Sequence, residues 1–267
     1  MIFSDTKITL IGSGWLGLPL ANHLKNIGYD VAVTTTTEEK KYQLETSGME
    51  TFLFKSQISA SFQERLMSSS VVIFTIPPGK DIGATKDNLK LIIDNIPPRT
   101  KVLYTSSTGV YRHLSASHQL IHIDENADVA GSLVPLEQII SASPNPFLIF
   151  RLGGLCGPER HPGRFLAGKK NVEDGNTVVN LVHLKDVIQW MTALLELEIE
   201  NDIFQLTADI HPQRKTFYPF AAQQIGREVP EFETCDSSPA GICVSTKKIK
   251  ETTGLACIFP DPFLFEY

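Results

Sequence analysis

The first half of the chain alternates short β-branched or aromatic runs with amphipathic stretches, and this pattern constrains the fold more than any other feature. Residues 7–11, 31–34, 51–54, 71–76 and 102–106 read as strands bounded by Gly, Pro or polar clusters. Between the first two, residues 15–27 place Leu16, Leu20, Leu24 and Ile27 on one helical face. Residues 38–46, 62–68 and 85–96 read as helices of the same kind. Connections this long are not hairpins, so the strands run parallel and the sheet is doubly wound. Residues 147–152 read as a sixth strand, followed by a loop rich in Gly, Pro and Arg over 153–168.

The first strand leads into Gly12-Ser13-Gly14-Trp15-Leu16-Gly17, a G-x-G-x-x-G turn that opens a helix. In such a turn the first glycine allows a tight bend. The second lets backbone approach a diphosphate, and the third lets helix and strand pack closely. The free N–H groups and positive dipole end at the helix start then favour the anion. The same pattern in another setting serves packing alone; behind a strand and within a β–α series it points to a dinucleotide. No acid stands at the end of the second strand, where Thr34, Thr35, Thr36 and Thr37 precede Glu38. Without that carboxylate a 2′-phosphate is not repelled. The threonine hydroxyls with Lys40 or Lys41 would receive it, which favours NADP over NAD; the alternative is that both lysines form a solvated helix face.

After Asn180 the pattern changes: a helix over 184–197 with Asp186 in its first turn, a short strand over 203–206, and a helix over 216–226 ended by Gly226. A proline-punctuated tail over 230–267 carries one short helix at 246–253. The expected architecture is α/β, a Rossmann-type doubly wound parallel sheet with a small C-terminal substrate-binding cap. The dinucleotide-binding domain takes residues 1–153 and is rejoined by about 181–207. The cap takes 154–180 and 208–267.

Composition narrows the partners. The 267 residues are 42% hydrophobic and 20% charged, and 24 Lys and Arg against 30 Asp and Glu leave a net charge of −6. That balance lacks the basic footprint of a protein that binds nucleic acid or anionic membrane. Apolar runs such as 71–74 fall far short of the roughly 20 residues of a membrane span, and residues 1–10 read as a first strand rather than a signal peptide. Cys156, Cys235, Cys243 and Cys257 form no CxxC pair, so free thiols in a reducing cytoplasm are expected. No His/Cys cluster has metal-ligand spacing, and no Gly-x-Ser-x-Gly elbow is present.

The segment Val102-Leu-Tyr-Thr-Ser106-Ser107-Thr108-Gly109-Val110-Tyr111 is the second informative stretch. With it the chain resembles the extended short-chain dehydrogenase/reductase superfamily, in its atypical NAD-dependent epimerase/dehydratase-like branch. The resemblance also rests on Gly12–Gly17, Ile76-Pro77-Pro78-Gly79, Asp124-Glu125, Arg151-Leu-Gly-Gly-Leu-Cys-Gly-Pro158, Arg160-His-Pro-Gly163, and Asn180-Leu-Val-His183 with Asp186. It implies that Ser107 takes the place of the catalytic Ser/Thr that hydrogen-bonds the reacting carbonyl or hydroxyl. It places Ile76, Pro77 and Pro78 beside the cofactor; Thr35, Thr36 and Ser106 complete the cofactor-binding candidates. Arg160, with Arg164 nearby, would face the diphosphate of a nucleotide-linked substrate, and His183 and Asp186 would orient the loop and the following helix. A homodimer is implied by the pairing habit of relatives.

The remaining family signature is missing. Tyr-x-x-x-Lys, whose Tyr is the acid/base, should stand on the helix after strand five. Alignment on Glu137-Gln138 puts Val129 and Leu133 there, and no Tyr or Lys occurs anywhere between Arg112 and Gly168. Tyr111 is a replacement candidate, with Glu125, Glu137, His113, His118 and His122 in the same region; each also has a plainer structural or solvated reading. Two functions therefore stand: an NAD(P)-dependent enzyme acting on a nucleotide-linked sugar or similar polar metabolite, or a catalytically inactive dinucleotide sensor or partner-binding protein.

Overall fold

A computed structural model describes residues 6–79, 81–116, 119–234 and 238–267. The elements follow in chain order as β1 (Lys7–Ile11), α1 (Gly17–Asn26), β2 (Asp30–Thr35), α2 (Glu38–Thr46), β3 (Glu50–Leu53), α3 (Ala60–Ser68), β4 (Val71–Phe74), α4 (Ile82–Ile93) and β5 (Lys101–Ser107). A 3₁₀ helix (Thr108–Ala116) leads to β6 (Leu120–Ile123), α5 (Val134–Ser141), β7 (Phe147–Leu152) and β8 (Gly154–Cys156). Then come β9 (Leu181–His183), α6 (Leu184–Leu195), β10 (Asp202–Leu206), α7 (Arg214–Gln224), β11 (Gly241–Val244) and α8 (Lys247–Thr253).

Seven strands form one sheet in the order β10-β7-β5-β4-β1-β2-β3. The pairs β1–β2, β1–β4, β2–β3 and β4–β5 are all parallel. Strand β1 is central, with Ile8 and Leu10 on one face and Thr9 and Ile11 on the other, all buried. Two smaller parallel pairs, β6–β11 and β8–β9, lie outside this sheet.

The chain divides into two compact units. The first comprises Met1–Ser106, Ser132–Phe150 and Glu196–Ile203; the second comprises Ser107–Gly131, Arg151–Leu195 and Phe204–Tyr267. The second unit thus takes in residues 107–131 and α6, which the expected domain division gave to the dinucleotide-binding part.

In the first unit, Phe62 and Leu66 of α3, Leu89 and Ile92 of α4, and Leu136 and Ile140 of α5 share a core with Val72, Phe74, Val102 and Ile149 of the strands. A buried arginine secures the amino ends of the strands. Arg65 donates to Thr9 Oγ1 at 3.2 Å, Ile8 O at 3.1 Å and Asp30 O at 2.8 Å, and pairs with Asp30 and Glu50 at 2.9 and 3.0 Å. Buried charge is tolerable when paired and bonded in this way.

In the second unit, Cys156, Leu181, Phe217, Ala221, Phe259 and Phe265 form a core. Helix α6 is seated on the tail, where buried Asp186 accepts the N–H groups of Ile258 and Phe259 at 2.5 and 3.2 Å.

Several boundaries differ from the expected ones for local reasons. Strand β4 stops at Phe74, so Ile76, Pro77 and Pro78 are exposed loop. Helix α4 begins three residues earlier than its apolar pattern predicts, because the Asp81 carboxylate accepts Ala84 N–H at 3.1 Å. The 3₁₀ segment and strands β6, β8, β9 and β11 carry no periodic apolar signal and are not anticipated.

Candidate functional site

The glycine turn of the first unit shows the tight bend at Gly12 and the close helix packing at Gly17 that its spacing predicts. Gly12 has φ +110° and a Cβ there would stand 2.8 Å from Ile76 Cγ1. At Gly17 a Cβ would stand 2.1 Å from Gly12 O, so this glycine permits the helix to meet the turn. At Gly14 a Cβ would meet nothing within 4 Å, and the residue is exposed. No protein atom therefore demands a glycine at 14; the space before it is open.

Helix α1 starts without a side-chain cap and without an acid in its first turn, leaving its amino end electropositive. This cradle fits a diphosphate. Thr34 Oγ1 accepts Gly12 N–H at 2.8 Å and Thr75 Oγ1 donates to Gly12 O at 2.9 Å, so two buried hydroxyls lock the turn. Ser13 and Leu16 are buried and Trp15 is half-buried.

Beside the turn, Thr35 is buried and Thr36 exposed. Lys40 Nζ donates to Ser13 O at 2.6 Å, which brings the ammonium to the rim of the glycine turn. Lys41 instead pairs with Glu45 at 2.8 Å along its own helix. A cavity of about 570 Å³ is lined by Thr36, Glu38, Leu53, Lys55, Gln57 and Ile58. A smaller one of about 60 Å³ is lined by Ile11, Phe54, Phe74, Ile76, Asn88 and Leu89.

Ser106 is buried at the carboxyl end of β5 and its hydroxyl donates to Glu137 Oε1 of α5 at 2.5 Å. Tyr104, on the same strand, has its hydroxyl pKa raised by burial and by the Glu137 charge. Val129 precedes α5 in non-helical chain, and Leu133 is the residue before its first turn. The positions that alignment on Glu137-Gln138 gives for Tyr and Lys therefore lie before that helix.

In the second unit, Ser107 Oγ accepts Gly109 N–H at 3.1 Å at the start of the 3₁₀ helix, leaving the hydroxyl proton available to donate. Tyr111 is fully buried. Arg151 Nη1 and Gln205 Nε2 donate to its hydroxyl at 2.5 and 2.6 Å, and the guanidinium lies 5.1 Å from the ring centroid. This geometry suits a structural anchor better than a proton carrier. Neither Arg151 nor Gln205 is distinguishable as its partner by motif; the only signal is a polar residue inside an otherwise apolar strand.

The other candidates separate. His113 lies 3.3 Å from Asp128 at the surface, and His122 is exposed on β6. Glu125 faces Lys248 at 3.5 Å while its carbonyl accepts from Arg151. His118 and Cys235 lie outside the described residues.

Arg160 and Arg164 are exposed on one short loop, flanking buried His161. Burial and the Arg164 charge lower the His161 pKa. Cys156 is buried, which pushes its thiol up to about 12 and makes it a poor nucleophile. Among the described residues no group of three or more His, Cys, Asp or Glu could hold a metal, and no helix is long and apolar enough to cross a membrane.

Residues 7–124 match the family described as the NAD binding domain of 6-phosphogluconate dehydrogenase. Over 271 aligned residues the chain is 32% identical to protein YeeZ of Escherichia coli strain K12, covering 97% of this chain and 98% of that one. WbmG of Bordetella bronchiseptica, solved in complex with NAD, superposes with a TM-score of 0.76 at 16% identity, covering 97% and 92% of the two chains. A functionally unknown conserved protein from Silicibacter pomeroyi gives 0.74 at 20% identity, covering 96% and 95%. The UDP-glucose 4-epimerase of Thermotoga maritima, solved with UDP-glucose, gives 0.72 at 15% identity, covering 95% and 93%. The structural likenesses establish a common Rossmann-type α/β fold, and the sequence identity a closer kinship: this chain belongs to the YeeZ family.

Proposed function

We propose that this chain binds NAD(P) and acts as an oxidoreductase or epimerase/dehydratase on a nucleotide-linked sugar or similar polar metabolite. The observation that carries the reading is Gly14, a glycine that no protein neighbour requires, standing before open space at an uncapped helix start. The backbone of Gly12–Gly17 would hold the diphosphate, with Ile76, Pro77, Pro78 and Ser106 beside the remainder of the cofactor. Thr35, Thr36 and Lys40 would receive a 2′-phosphate, which favours NADP; Lys40 already reaches the turn, whereas Lys41 is engaged with Glu45.

When bound, the dinucleotide supplies a hydride donor or acceptor. Ser107, its oxygen already accepting a backbone N–H, would donate its proton to a substrate oxygen. Arg160 and Arg164 would hold the substrate's diphosphate, as suits the nucleotide sugar bound by the Thermotoga epimerase. A cytoplasmic setting and a homodimer belong to the same reading.

One observation favours a second reading, a dinucleotide sensor without chemistry: Tyr111 has its hydroxyl engaged by two donors, and no Tyr or Lys replaces the missing dyad between Arg112 and Gly168. Thermal-shift titration with NADPH, NADH and no ligand tests the cofactor, since a site at a hundred times its dissociation constant adds about 2.7 kcal/mol. Hydride exchange between bound cofactor and a panel of nucleotide sugars then separates the two readings. Stabilisation with exchange supports the enzyme, stabilisation without exchange supports the sensor, and no stabilisation refutes both.

A further inference from the structure

The loop bearing Arg160 and Arg164 is fixed far more firmly than its exposure requires. Arg160 closes a four-residue turn, its N–H donating to Gly157 O at 2.9 Å, with Glu159 held at φ 63°. His161 Nδ1 then accepts Gly163 N–H at 3.0 Å and sets the short 3₁₀ turn Pro162–Arg164. Gly163 is pressed against α7, where a Cβ would stand 2.1 Å from Ala221 O. The His161 ring also lies on Tyr267, with ring centroids 3.8 Å apart.

Tyr267 belongs to a strap, residues 259–267, that is fastened along its length. Asp186 holds its start through the N–H groups of Ile258 and Phe259. Phe263 lies 5.5 Å from Phe217 and 5.0 Å from Phe220 of α7. His183 Nδ1 accepts Lys185 N–H at 3.2 Å, so Nε2 is the donor to Glu266 O at 2.9 Å, and Lys185 pairs with the Glu266 carboxylate at 2.9 Å. Tyr267 is 42% exposed, and the burial of the rest raises its hydroxyl pKa. Its placement on the histidine between the two arginines is what the strap achieves. A loop ordered before its ligand arrives loses less freedom on binding.

We propose that the strap is a positioning element for the arginine loop: Tyr267, laid on His161, pre-sets Arg160 and Arg164 for the diphosphate of a nucleotide-linked ligand. The proposal rests on the substrate reading given under Proposed function.

The test is calorimetric titration of UDP-glucose, and separately of inorganic pyrophosphate, into the full chain and its variants. Tyr267→Ala is expected to weaken both ligands about tenfold, the cost of ordering the loop at the moment of binding. Tyr267→Phe should restore wild-type affinity, because the ring rather than the hydroxyl makes the tilted contact with His161. Tyr267→Leu, which keeps apolar cover near Phe265 without an aromatic plane, should resemble Tyr267→Ala and guards against misfolding of the smaller variant. Wild-type affinity in Tyr267→Ala and Tyr267→Leu overturns the strap and leaves the substrate reading standing. Equal losses in Tyr267→Phe and Tyr267→Ala also overturn it, by assigning the effect to the hydroxyl. A wild-type chain that binds neither ligand overturns the substrate reading and the strap with it.

Discussion

The hydroxyl of Ser106 donates to the carboxylate of Glu137 across 2.5 Å, between two buried residues. That separation is at the short end for a hydroxyl on a carboxylate. Its neighbour is wired in the opposite sense, because Ser107 Oγ accepts a hydrogen bond from Gly109 N–H. Two adjacent serines of one motif are thus divided between holding the strand to its helix and presenting a donor.

Ser106→Ala should cost about 2 kcal/mol of folding stability, the loss of a hydrogen bond to a buried carboxylate. Ser107→Ala should cost about 1 kcal/mol, as for a lost cap, and on the enzyme reading should reduce turnover while leaving dinucleotide affinity unchanged. Urea unfolding beside steady-state kinetics checks both. Equal stability losses would contradict the division.

Gly14→Ala and Gly17→Ala should part company. The Gly14 methyl enters empty space, so folding is unaffected or gains about 0.5 kcal/mol, while dinucleotide binding falls. The Gly17 methyl would overlap Gly12 O and should cost about 3 kcal/mol through displaced backbone. Thermal unfolding with and without NADPH reads the two effects separately. Unimpaired NADPH binding by Gly14→Ala would count against the cradle.

Lys40→Ala should weaken NADPH about tenfold and leave NADH nearly untouched, as expected when a cation is taken from a phosphate. Lys41→Ala should discriminate between neither, since that side chain is turned to Glu45. Fluorescence titration of both reduced cofactors decides. Parallel losses for NADH and NADPH in Lys40→Ala would remove the 2′-phosphate assignment.

Acid should destabilise the second unit through its histidines. Burial is the leading cause that lowers His161, His183 and His211 below the ordinary value of 6.5. For His161 and His183 the geometry agrees, because each Nδ1 already accepts a backbone N–H and has no room for a second proton. The unfolded chain then takes up protons first as pH falls. The contribution is complete above about 6.5, shrinks through the window down to the lowered folded values, and is constant below them. Asp186 acts with the opposite sign, since burial raises its carboxyl and the folded chain takes that proton first. Urea midpoints from about pH 8 to about pH 5 should fall, and His183→Gln should flatten the curve. A wild-type curve flat over that range would refute the assignment.

What was legible in the sequence is what repeats or must be glycine. The alternation of strand and helix gives the sheet because parallel strands buried on both faces need apolar runs, and Val71–Phe74 with Val102, Leu103 and Tyr104 supply them. Gly12, Gly14 and Gly17 are readable because each answers to a steric demand or to its absence. The strands β6, β8, β9 and β11 are three or four residues long, and their pairing partners lie far away in sequence, so no local pattern marks them. The grip of Arg151 and Gln205 on Tyr111, and of Lys40 on Ser13, depends on tertiary placement that spacing does not encode.

The pairing of β6 with β11 has a consequence for biosynthesis. A ribosome delivers Leu120–Ile123 well before its partner Gly241–Val244. At ordinary elongation rates the interval is on the order of ten seconds. For that time the β6 segment is without its strand partner, a template for wrong neighbours. Completion of the second unit therefore waits on the synthesis of β11, and chaperone shelter over that interval should raise its yield.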